Sequence, residues 1–434
     1  MNLPNEHRSI DQWVDYIQTL HHREIELSLE RIRSVYQRMR PNGLNFKVIT
    51  IAGTNGKGST TELLASIYRA AGYNAAKFTS PHLCDFNERF NVNGQAVSDQ
   101  ALLDAFAVVE SHRGDTPITF FEYGTLLAIE LFASAQVDVA VMEVGLGGRL
   151  DSVNVLEPDM AIVTSISIDH TSWLGNTIEQ IAYEKVGIAR ADKPLVIGLA
   201  QAPASMLDYA NSIGAEISQL ERDFDFVQSK EGDNWDWRGE GQSYKNLPLP
   251  FGQAGVQLAN CALALQAVAL LKGDLPVTEQ QLHKGIANAE IEGRCQVVAE
   301  SPMIVLDVSH NQTSVARLRD FVVDKLNCRN DADQEGRIVA VCGMLADKDI
   351  ANSLKEISEY IDSWHVATIH NERGANCRDL AGQITSISSS EVNTYSHVVD
   401  AFETAHSKLA ENDTLVVFGS FHIVGDILSH LRTN

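Results

Sequence analysis

Residues 46–64 read FKVITIAGTNGKGSTTELL, an apolar, β-branched run followed by a glycine loop and a helix-forming segment. A strand, a glycine-rich turn and a helix in this order form the phosphate-binding loop of many nucleotide-binding domains. In the usual spelling, G-x-x-x-x-G-K-[ST], the hydroxyl after the lysine holds Mg²⁺. Here Gly58 follows Lys57, and the next hydroxyls are those of Ser59 and Thr60. We predict a nucleotide-binding loop whose metal ligand lies elsewhere; the alternative is a tight turn without a ligand.

The composition favours a globular protein that acts on small molecules. The chain has 434 residues, with 34 Lys plus Arg against 57 Asp plus Glu and a net charge of −23. This balance opposes binding to nucleic acid or an anionic membrane, so neither is an expected partner. Six scattered cysteines without a CxxC pair argue against a disulfide framework or a zinc site. The polar start MNLPNEHRSIDQW and the lack of a long apolar run predict a cytoplasmic protein.

Strand and helix signals alternate along the chain, which predicts an α/β fold. Continuous apolar runs predict buried parallel strands that are covered on both faces. These runs are VDVAVMEVGLGG, MAIVTSISIDH and PLVIGL, and later MIVLDVSHN, RIVAVCGML, SWHVATI and TLVVFGSF. We predict a P-loop NTPase-like parallel-sheet domain over residues 1–294 and a smaller Rossmann-like α/β domain over residues 295–434. Residues 228–250 lose this pattern and predict an irregular β-hairpin.

Polar residues at the predicted strand ends are candidates for the missing metal ligand, because ligands of parallel sheets bind there. Glu143 ends an apolar strand, where a buried carboxylate needs a cation or hydrogen-bond donors. A metal ion could supply the cation for Glu143. A pairing of Glu143 with Arg149 or with the backbone of the glycines is an equal alternative. For His170 a structural role competes with a metal role, since Mg²⁺ seldom binds nitrogen. Lys185, beside Glu184, has the pattern of a solvated helix lysine.

Short motifs run in a fixed order along nearly the whole chain. They are GTNGKGS (53–59), TSPHL (79–83), TFFEYGT (119–125), EVGLGGRLD (143–151), TSISIDHT (164–171), EKVGIAR (184–190), GR (293–294), LDVSHN (306–311), GMLADKD (343–349) and VFGSFH (417–422). Together they resemble the folylpolyglutamate synthase/dihydrofolate synthase family of the Mur-ligase superfamily. The resemblance implies an ATP-dependent ligase that joins L-glutamate to dihydropteroate, and to tetrahydrofolate and its polyglutamates.

The resemblance also implies roles for individual residues. Ser80 and Glu143 would hold one Mg²⁺, and His170 would hold a second, with help from Lys185 in carbamylated form. The implied ATP-binding residues are Thr54, Asn55, Gly56, Lys57, Gly58, Ser59, Asn260, Arg294 and Asp307. The implied catalytic residues are Lys57, Lys185, Arg294 and His310. For Arg294 and Asp307, a surface salt bridge is the alternative.

Three segments are implied to hold dihydropteroate. Their residues are Glu26, Leu27, Ser28 and Leu29; Thr119, Phe120, Phe121 and Glu122; and Leu150, Asp151 and Ser152. Aromatic faces can stack on a pteridine ring, and a carboxylate can accept its N–H groups. Core packing is the alternative for the two phenylalanines. The chain departs from the family's pattern at Glu26 and Ser28, where Asp and Gly are usual, and at Gln312, where Pro is common.

The implied reaction transfers the γ-phosphoryl group of ATP to a carboxylate, and the amine of glutamate then attacks the acyl phosphate. Positioning and charge neutralisation by Lys57, two Mg²⁺ ions and Arg294 would suffice for such a transfer. A monofunctional folylpolyglutamate synthase is one alternative. A cell-wall Mur ligase is less favoured, because only a short segment precedes the first strand. A nucleotide-switched binding protein is a third alternative. The lack of heptad repeats favours a monomer.

Overall fold

The computed structural model describes residues 9–23, 25–230, 232–252, 258–329 and 336–433. These residues form two compact units. Of the described residues, the first unit holds those up to Glu290 apart from Leu83–Asp85, and the second holds Leu83–Asp85 and those from Ile291 onwards. The predicted boundary leaves residues 291–294 in the first domain, whereas the structure groups them with the second. The physical reason is local, since the Gly293 carbonyl accepts a hydrogen bond of 2.9 Å from the Val308 N–H.

The first unit alternates helices and strands. Its helices are α1 (Ile10–Gln18), α2 (Glu30–Met39), α3 (Lys57–Ala70), α4 (Asp99–Arg113), α5 (Phe120–Ser134), α6 (Thr171–Leu174), α7 (Ile178–Val186), α8 (Ala204–Ile213), α9 (Leu258–Leu270) and α10 (Glu279–Ala287). Its strands are β1 (Lys47–Ala52), β2 (Ala75–Phe78), β3 (Phe90–Val92), β4 (Gln95–Ala96), β5 (Val139–Glu143), β6 (Met160–Val163), β7 (Pro194–Ile197), β8 (Glu216–Gln219), β9 (Phe224–Gln228), β10 (Asn234–Gly239) and β11 (Gln242–Pro248). Short 3₁₀ helices span Phe86–Arg89, Ser152–Val155 and Pro250–Gly252.

Strands β1 to β8 form one sheet in the order β4-β3-β2-β5-β1-β6-β7-β8. The strands from β2 to β8 in this order are parallel, and β3 and β4 add an antiparallel hairpin at one edge. Strands β5 and β6 are buried at every position, which explains their continuous apolar sequences. The register pairs Ile51 with Glu143 and Ala52 with Val163. The carboxyl ends of β1, β5 and β6 therefore meet at the same edge of the sheet.

Two sequence predictions in the first unit are wrong in extent. The predicted strand MAIVTSISIDH ends at Val163, because the Thr164 hydroxyl donates to the Asn55 carbonyl at 2.7 Å and the chain turns towards the glycine loop. The predicted hairpin over residues 228–250 belongs to a three-stranded antiparallel sheet in the order β11-β10-β9. Strand β9 was missed because its burial falls from Phe224 to an exposed end, which leaves no continuous apolar run.

The second unit repeats the alternation. Its strands are β12 (Gln296–Glu300), β13 (Met303–Asp307), β14 (Ile338–Cys342), β15 (Ser363–Ala367), β16 (Glu391–Tyr395) and β17 (Thr414–Phe418). Its helices are α11 (Gln312–Arg329), α12 (Ile350–Lys355), α13 (Cys377–Ile387), α14 (Val398–His406) and α15 (Phe421–Thr433), with a 3₁₀ turn at Ser358–Tyr360. The sheet order is β12-β13-β17-β14-β15-β16, in which β12 is antiparallel and the others are parallel. The predicted α/β class is confirmed in both units.

Over the described ranges, none of the helices is long and apolar enough to cross a membrane. Among the described residues, five cysteines form no disulfide bond: Cys84, Cys261, Cys295, Cys342 and Cys377. The side chain of the sixth, Cys328, lies outside the described part of the chain.

Candidate active site

The glycine loop leaves β1 and enters α3 through backbone conformations that favour glycine. Gly53 has φ 153° and Gly56 has φ 89°. A Cβ atom on Gly53 would lie 1.9 Å from Thr164 Oγ1, and one on Gly56 would lie 2.5 Å from Asn260 Oδ1. The two glycines are therefore required by close neighbours as well as by backbone strain. This contact also places Asn260, a predicted ATP-binding residue on α9, directly beside the loop.

The loop is fastened to the segment that follows β6. Thr54 N–H donates to the Ser165 carbonyl at 2.8 Å, and Asn55 N–H donates to Ser165 Oγ at 3.0 Å. These bonds take up the first amides of the loop. The amides of Lys57, Gly58 and Ser59 lie in the first turn of α3, where N–H groups have no acceptor within their own helix. The start of α3 thus offers N–H donors to phosphate groups, and the positive end of the helix dipole favours their negative charge.

Two lysines meet at one carbonyl of the loop. Lys57 Nζ donates to the Gly53 carbonyl at 3.0 Å, and Lys185 Nζ donates to the same oxygen at 2.9 Å. Lys185 is only 4% exposed, so the expectation of a solvated lysine is wrong. Burial, with a smaller contribution from the charge of Lys57, lowers the pKa of Lys185 to about 7. A large fraction of this amine is therefore unprotonated at neutral pH, which is the form that reacts with CO₂.

Glu143 and Ser80 lie together at the strand ends. Glu143 is the last residue of β5 and is buried, and its Oε2 accepts a hydrogen bond of 3.4 Å from Ser80 N–H. The alternative pairing with Arg149 is wrong, because Arg149 binds Glu184 at 2.7 Å. Arg89 was not singled out from the sequence. Burial lowers the pKa of Arg89 to about 10, and the charge of Glu143 acts in the opposite direction.

His170 does not end a strand, because β6 ends at Val163, seven residues earlier, and the chain continues as a loop. It has φ 51° and precedes α6, with its Nε2 3.9 Å from an oxygen of Asp169. Asp169 was also missed; its charge raises the pKa of Lys185. Within the described ranges, no group of three His, Cys, Asp or Glu side chains could hold a metal ion alone. That fits Mg²⁺, which commonly uses one or two protein oxygens, waters and substrate phosphates.

The segment with Thr119 and Glu122 opens α5 as a capping box. Glu122 N–H donates to Thr119 Oγ1 at 3.3 Å, and Thr119 N–H donates to Glu122 Oε2 at 2.7 Å. The two aromatic residues are half-buried. Phe120 lies under the Arg89 guanidinium at 5.2 Å, and Phe121 packs 5.8 Å from Phe78. Core contacts thus occupy part of each ring, and their role in substrate binding stays a prediction.

The segment after the GLGG turn is held by Asp151. Its carboxylate accepts hydrogen bonds from the Leu146 and Val153 amides at 2.8 and 2.9 Å, and burial raises its pKa to about 6. Ser152 Oγ lies 2.6 Å from Thr125 Oγ1 on α5. Leu150 next to them is half-buried. Asp151 and Ser152 therefore fix the shape of this segment, whether or not they also bind a substrate.

The N-terminal segment precedes α2. Leu27 and Leu29 are half-buried, and the Ser28 hydroxyl donates to the Glu30 carboxylate. Glu26 forms an ion pair of 2.6 Å with Arg31, a residue that sequence reasoning did not single out.

In the second unit, the predicted nucleotide residues have local partners. The Asp307 carboxylate is buried and accepts hydrogen bonds of 2.7 Å from both the Cys295 and Ser309 amides, so a surface salt bridge is wrong for it. The Arg294 guanidinium lies 5.0 Å from the centre of the Phe421 ring. His310 Nδ1 is 2.8 Å from the Val308 carbonyl, which fixes the proton on Nδ1. ATP binding by these residues stays a prediction.

A cavity of about 400 Å³ in the second unit was not anticipated. Its polar lining includes His370, Asn371, His397, His422 and Asp426. Asn371 Nδ2 lies 3.2 Å from His422 Nε2, and burial lowers the pKa of His422 and raises that of Asp426. Helices α14 and α15 begin beside it, which adds the positive ends of two helix dipoles. The only available signal was the repeated occurrence of histidine after strands β15, β16 and β17.

Residues 51–212 match the Mur ligase middle domain, and residues 293–421 match the Mur ligase glutamate ligase domain. The chain is 39% identical to the dihydrofolate synthase/folylpolyglutamate synthase of Escherichia coli K12, over 96% of this chain and 94% of that protein. It is 35% identical to the protein of the same name from Haemophilus influenzae, over 96% of each chain.

Solved structures give the same relationship. E. coli FolC in complex with DHPP and ADP has a TM-score of 0.90 and 37% identity, over 99% of both chains. A bifunctional folylpolyglutamate synthase/dihydrofolate synthase with Mn, AMPPNP and L-glutamate bound has a TM-score of 0.88 and 37% identity, over 99% of this chain and 100% of that one.

Proposed function

The chain belongs to the dihydrofolate synthase/folylpolyglutamate synthase family of Mur ligases, and from this premise we propose how its residues perform the family's reaction. It is an ATP-dependent ligase that requires a divalent cation and adds L-glutamate to dihydropteroate and to tetrahydrofolate. The observation that carries the proposal is the meeting of Lys57 and Lys185 at the Gly53 carbonyl, beside the strand end that bears Glu143.

The first unit would bind the nucleotide. The amides at the start of α3 and the ammonium of Lys57 would hold the phosphates of ATP, and Asn260 would contact the base. Ser80 and Glu143 would hold one Mg²⁺; His170 and a carbamate on Lys185 would hold a second. Bound there, Mg²⁺ would neutralise charge on the phosphates. In the second unit, Arg294, Asp307 and His310 would contribute to nucleotide binding and phosphoryl transfer.

The reaction would pass through an acyl phosphate. An oxygen of the folate carboxylate attacks the γ-phosphorus of ATP, and ADP leaves. The nitrogen of glutamate then attacks the acyl carbon, inorganic phosphate leaves with the C–O electron pair, and the amine loses its proton. The folate acid would lie against residues 26–29, Thr119–Glu122 and Leu150–Ser152. Phosphoryl transfer depends mainly on positioning and charge, so no covalent enzyme intermediate is required.

We further propose that the cavity of the second unit binds a carboxylate of L-glutamate. The side-chain amide of Asn371, the imidazole of His422 and the N-termini of two helices suit an anion, and burial raises the pKa of Asp426, the acidic residue of the described lining. Asn371→Ala should raise the KM for glutamate about tenfold, the effect of losing one hydrogen bond to a charged group. Steady-state kinetics with glutamate varied measures this.

The matched control is Asn412→Ala, which changes an exposed asparagine of the same unit. It should leave the KM for glutamate within about twofold of the wild-type value. An Asn371→Ala enzyme with an unchanged KM for glutamate, or with equal increases for glutamate and ATP, contradicts this location.

The function is tested by ADP release from the purified protein with Mg-ATP. Separate reactions contain dihydropteroate or tetrahydrofolate, each with and without L-glutamate. We expect glutamate-dependent turnover with both acids. Turnover with tetrahydrofolate alone would identify a monofunctional folylpolyglutamate synthase. Hydrolysis of ATP without glutamate would favour a nucleotide-switched binding protein. The absence of ADP release with both acids would refute the proposal.

We infer a cytoplasmic monomer that does not bind nucleic acid. The free thiols of the described cysteines are typical of a reducing compartment, and the net charge of −23 opposes nucleic acid. Light scattering coupled to gel filtration tests the oligomeric state.

A further inference from the structure

Arg31 joins two of the segments that are predicted to hold the folate acid. It is the second residue of α2, directly after residues 26–29. Its side chain is 16% exposed, and its guanidinium contacts the carboxylates of both Glu26 and Glu122. Glu122 belongs to the capping box at the start of α5, 91 residues further along the chain. One side chain thus links a loop near the N-terminus to the helix that presents Phe120 and Phe121.

The contact with Glu26 fixes both its side chain and its backbone. Arg31 Nη1 donates to Glu26 Oε1 at 2.6 Å, and Nη2 donates to the Glu26 carbonyl at 3.0 Å. The His21 imidazole and the Arg23 guanidinium lie near the other carboxylate oxygen, at 3.7 Å and 3.5 Å. The first residue of the segment is therefore held at two points by a planar guanidinium, a geometry that a lysine ammonium cannot reproduce.

The contact with Glu122 compensates a buried charge. Its side chain is 4% exposed, and Oε2 already accepts the hydrogen bond from Thr119 N–H. Arg31 Nε lies 3.4 Å from Oε2, and Nη2 lies 3.3 Å from Oε1. Oε1 is buried and has no hydrogen bond of good geometry within the described structure. A buried carboxylate is costly without a cation, so the Arg31 guanidinium stabilises Glu122 at the start of α5.

We propose that Arg31 is a positioning residue for the folate acid, which rests on the proposed function. It sets the distance between residues 26–29 and Glu122, and through Glu122 it fixes the start of α5, which presents Phe120 and Phe121. The segments that are predicted to hold the folate acid are then already in place, so less conformational entropy is lost on binding. The effect is larger for dihydropteroate than for tetrahydrofolate, because dihydropteroate lacks the glutamate tail and has fewer other groups through which to bind.

The test compares Arg31→Met and Arg31→Lys with Arg33→Met, which removes an exposed arginine from the same helix. Arg31→Met should raise the KM for dihydropteroate about tenfold or more, with the KM for ATP and for glutamate within about twofold. Arg31→Lys should lie between Arg31→Met and wild type, and Arg33→Met should match wild type. A double-mutant cycle with Glu26→Gln should be non-additive, because the two residues act through one contact.

A wild-type enzyme without turnover of dihydropteroate would refute the proposed function. An active wild type, with the same KM for dihydropteroate in Arg31→Met and Arg33→Met, would refute only the role of Arg31. Equal increases in all three KM values together with a lower Tm would also refute it, since they indicate a general structural role. If Arg31→Met does not fold, Arg31→Lys and the Glu26→Gln cycle decide the question by the same criteria.

Discussion

Replacement of Lys185 by methionine should lower kcat/KM for ATP-dependent glutamate addition by about 10³-fold. Methionine has a long apolar side chain that suits the buried site, but it supplies no nitrogen to donate to the Gly53 carbonyl or to take up CO₂. Because the pKa of Lys185 is about 7, roughly half of the amine is unprotonated at neutral pH. ADP release with dihydropteroate, glutamate and Mg-ATP measures the loss.

The control is Lys193→Met, which removes a lysine whose side chain is 46% exposed, and it should stay within about twofold of wild type. In CO₂-depleted wild-type enzyme, the same concentration of dissolved CO₂, held constant at each pH, should restore activity faster at pH 8 than at pH 6. The sign follows from the lowered pKa, since the reactive neutral amine rises from roughly a tenth to roughly nine tenths over this range. A Lys185→Met enzyme with wild-type activity would exclude both the carbamate and any catalytic role.

Replacement of Lys57 by methionine should lower kcat/KM by about 10²- to 10³-fold. In the structure its ammonium rests on the Gly53 and Thr54 carbonyls at 3.0 and 3.2 Å, at the start of α3. There it can follow the charge of the transferring phosphoryl group, which methionine cannot neutralise. Single-turnover and steady-state kinetics should show most of the loss in kcat, with a smaller rise in the KM for ATP.

Lys57→Arg is the matched control, because it keeps the charge while changing the shape, and it should retain more activity than Lys57→Met. The Lys57→Met substitution has a second expected effect. Since the charge of Lys57 contributes to the low pKa of Lys185, Lys57→Met should raise that pKa and slow activation by bicarbonate. A Lys57→Met enzyme with unchanged kcat would show that the loop does not act on the γ-phosphoryl group.

The central strands of the two larger sheets could be predicted from sequence, because buried parallel strands are predominantly apolar. The glycine loop was also readable, since a helix start and a lysine follow it directly. Glu143 could be singled out because a carboxylate contrasts with the apolar strand that it ends. The burial of Lys185 could not be read, because its contact with the Gly53 carbonyl joins residues 132 positions apart.

The parts of the site that were missed share a physical cause. Arg31 is an ordinary surface-type residue in sequence, and only the fold brings its guanidinium within 3.3 Å of Glu122, whose role the resemblance implied. The cavity of the second unit is lined by histidines from the loops after β15 and β16 and from the start of α15, each of which is unremarkable alone. The capping box of Glu122 and the backbone bonds of Asp307 likewise depend on local geometry, which residue type does not specify.

Three edge strands of the two larger sheets have a consequence for behaviour at high protein concentration. In the first unit one edge strand, β4, has two residues, both exposed. In the second unit β12 carries a register irregularity between Val297 and Ala299, and β16 contains no buried residue. Short, irregular and polar edges offer a poor template for pairing with another chain. These three edges should therefore resist strand addition by another chain, even though the two larger sheets have thoroughly apolar centres.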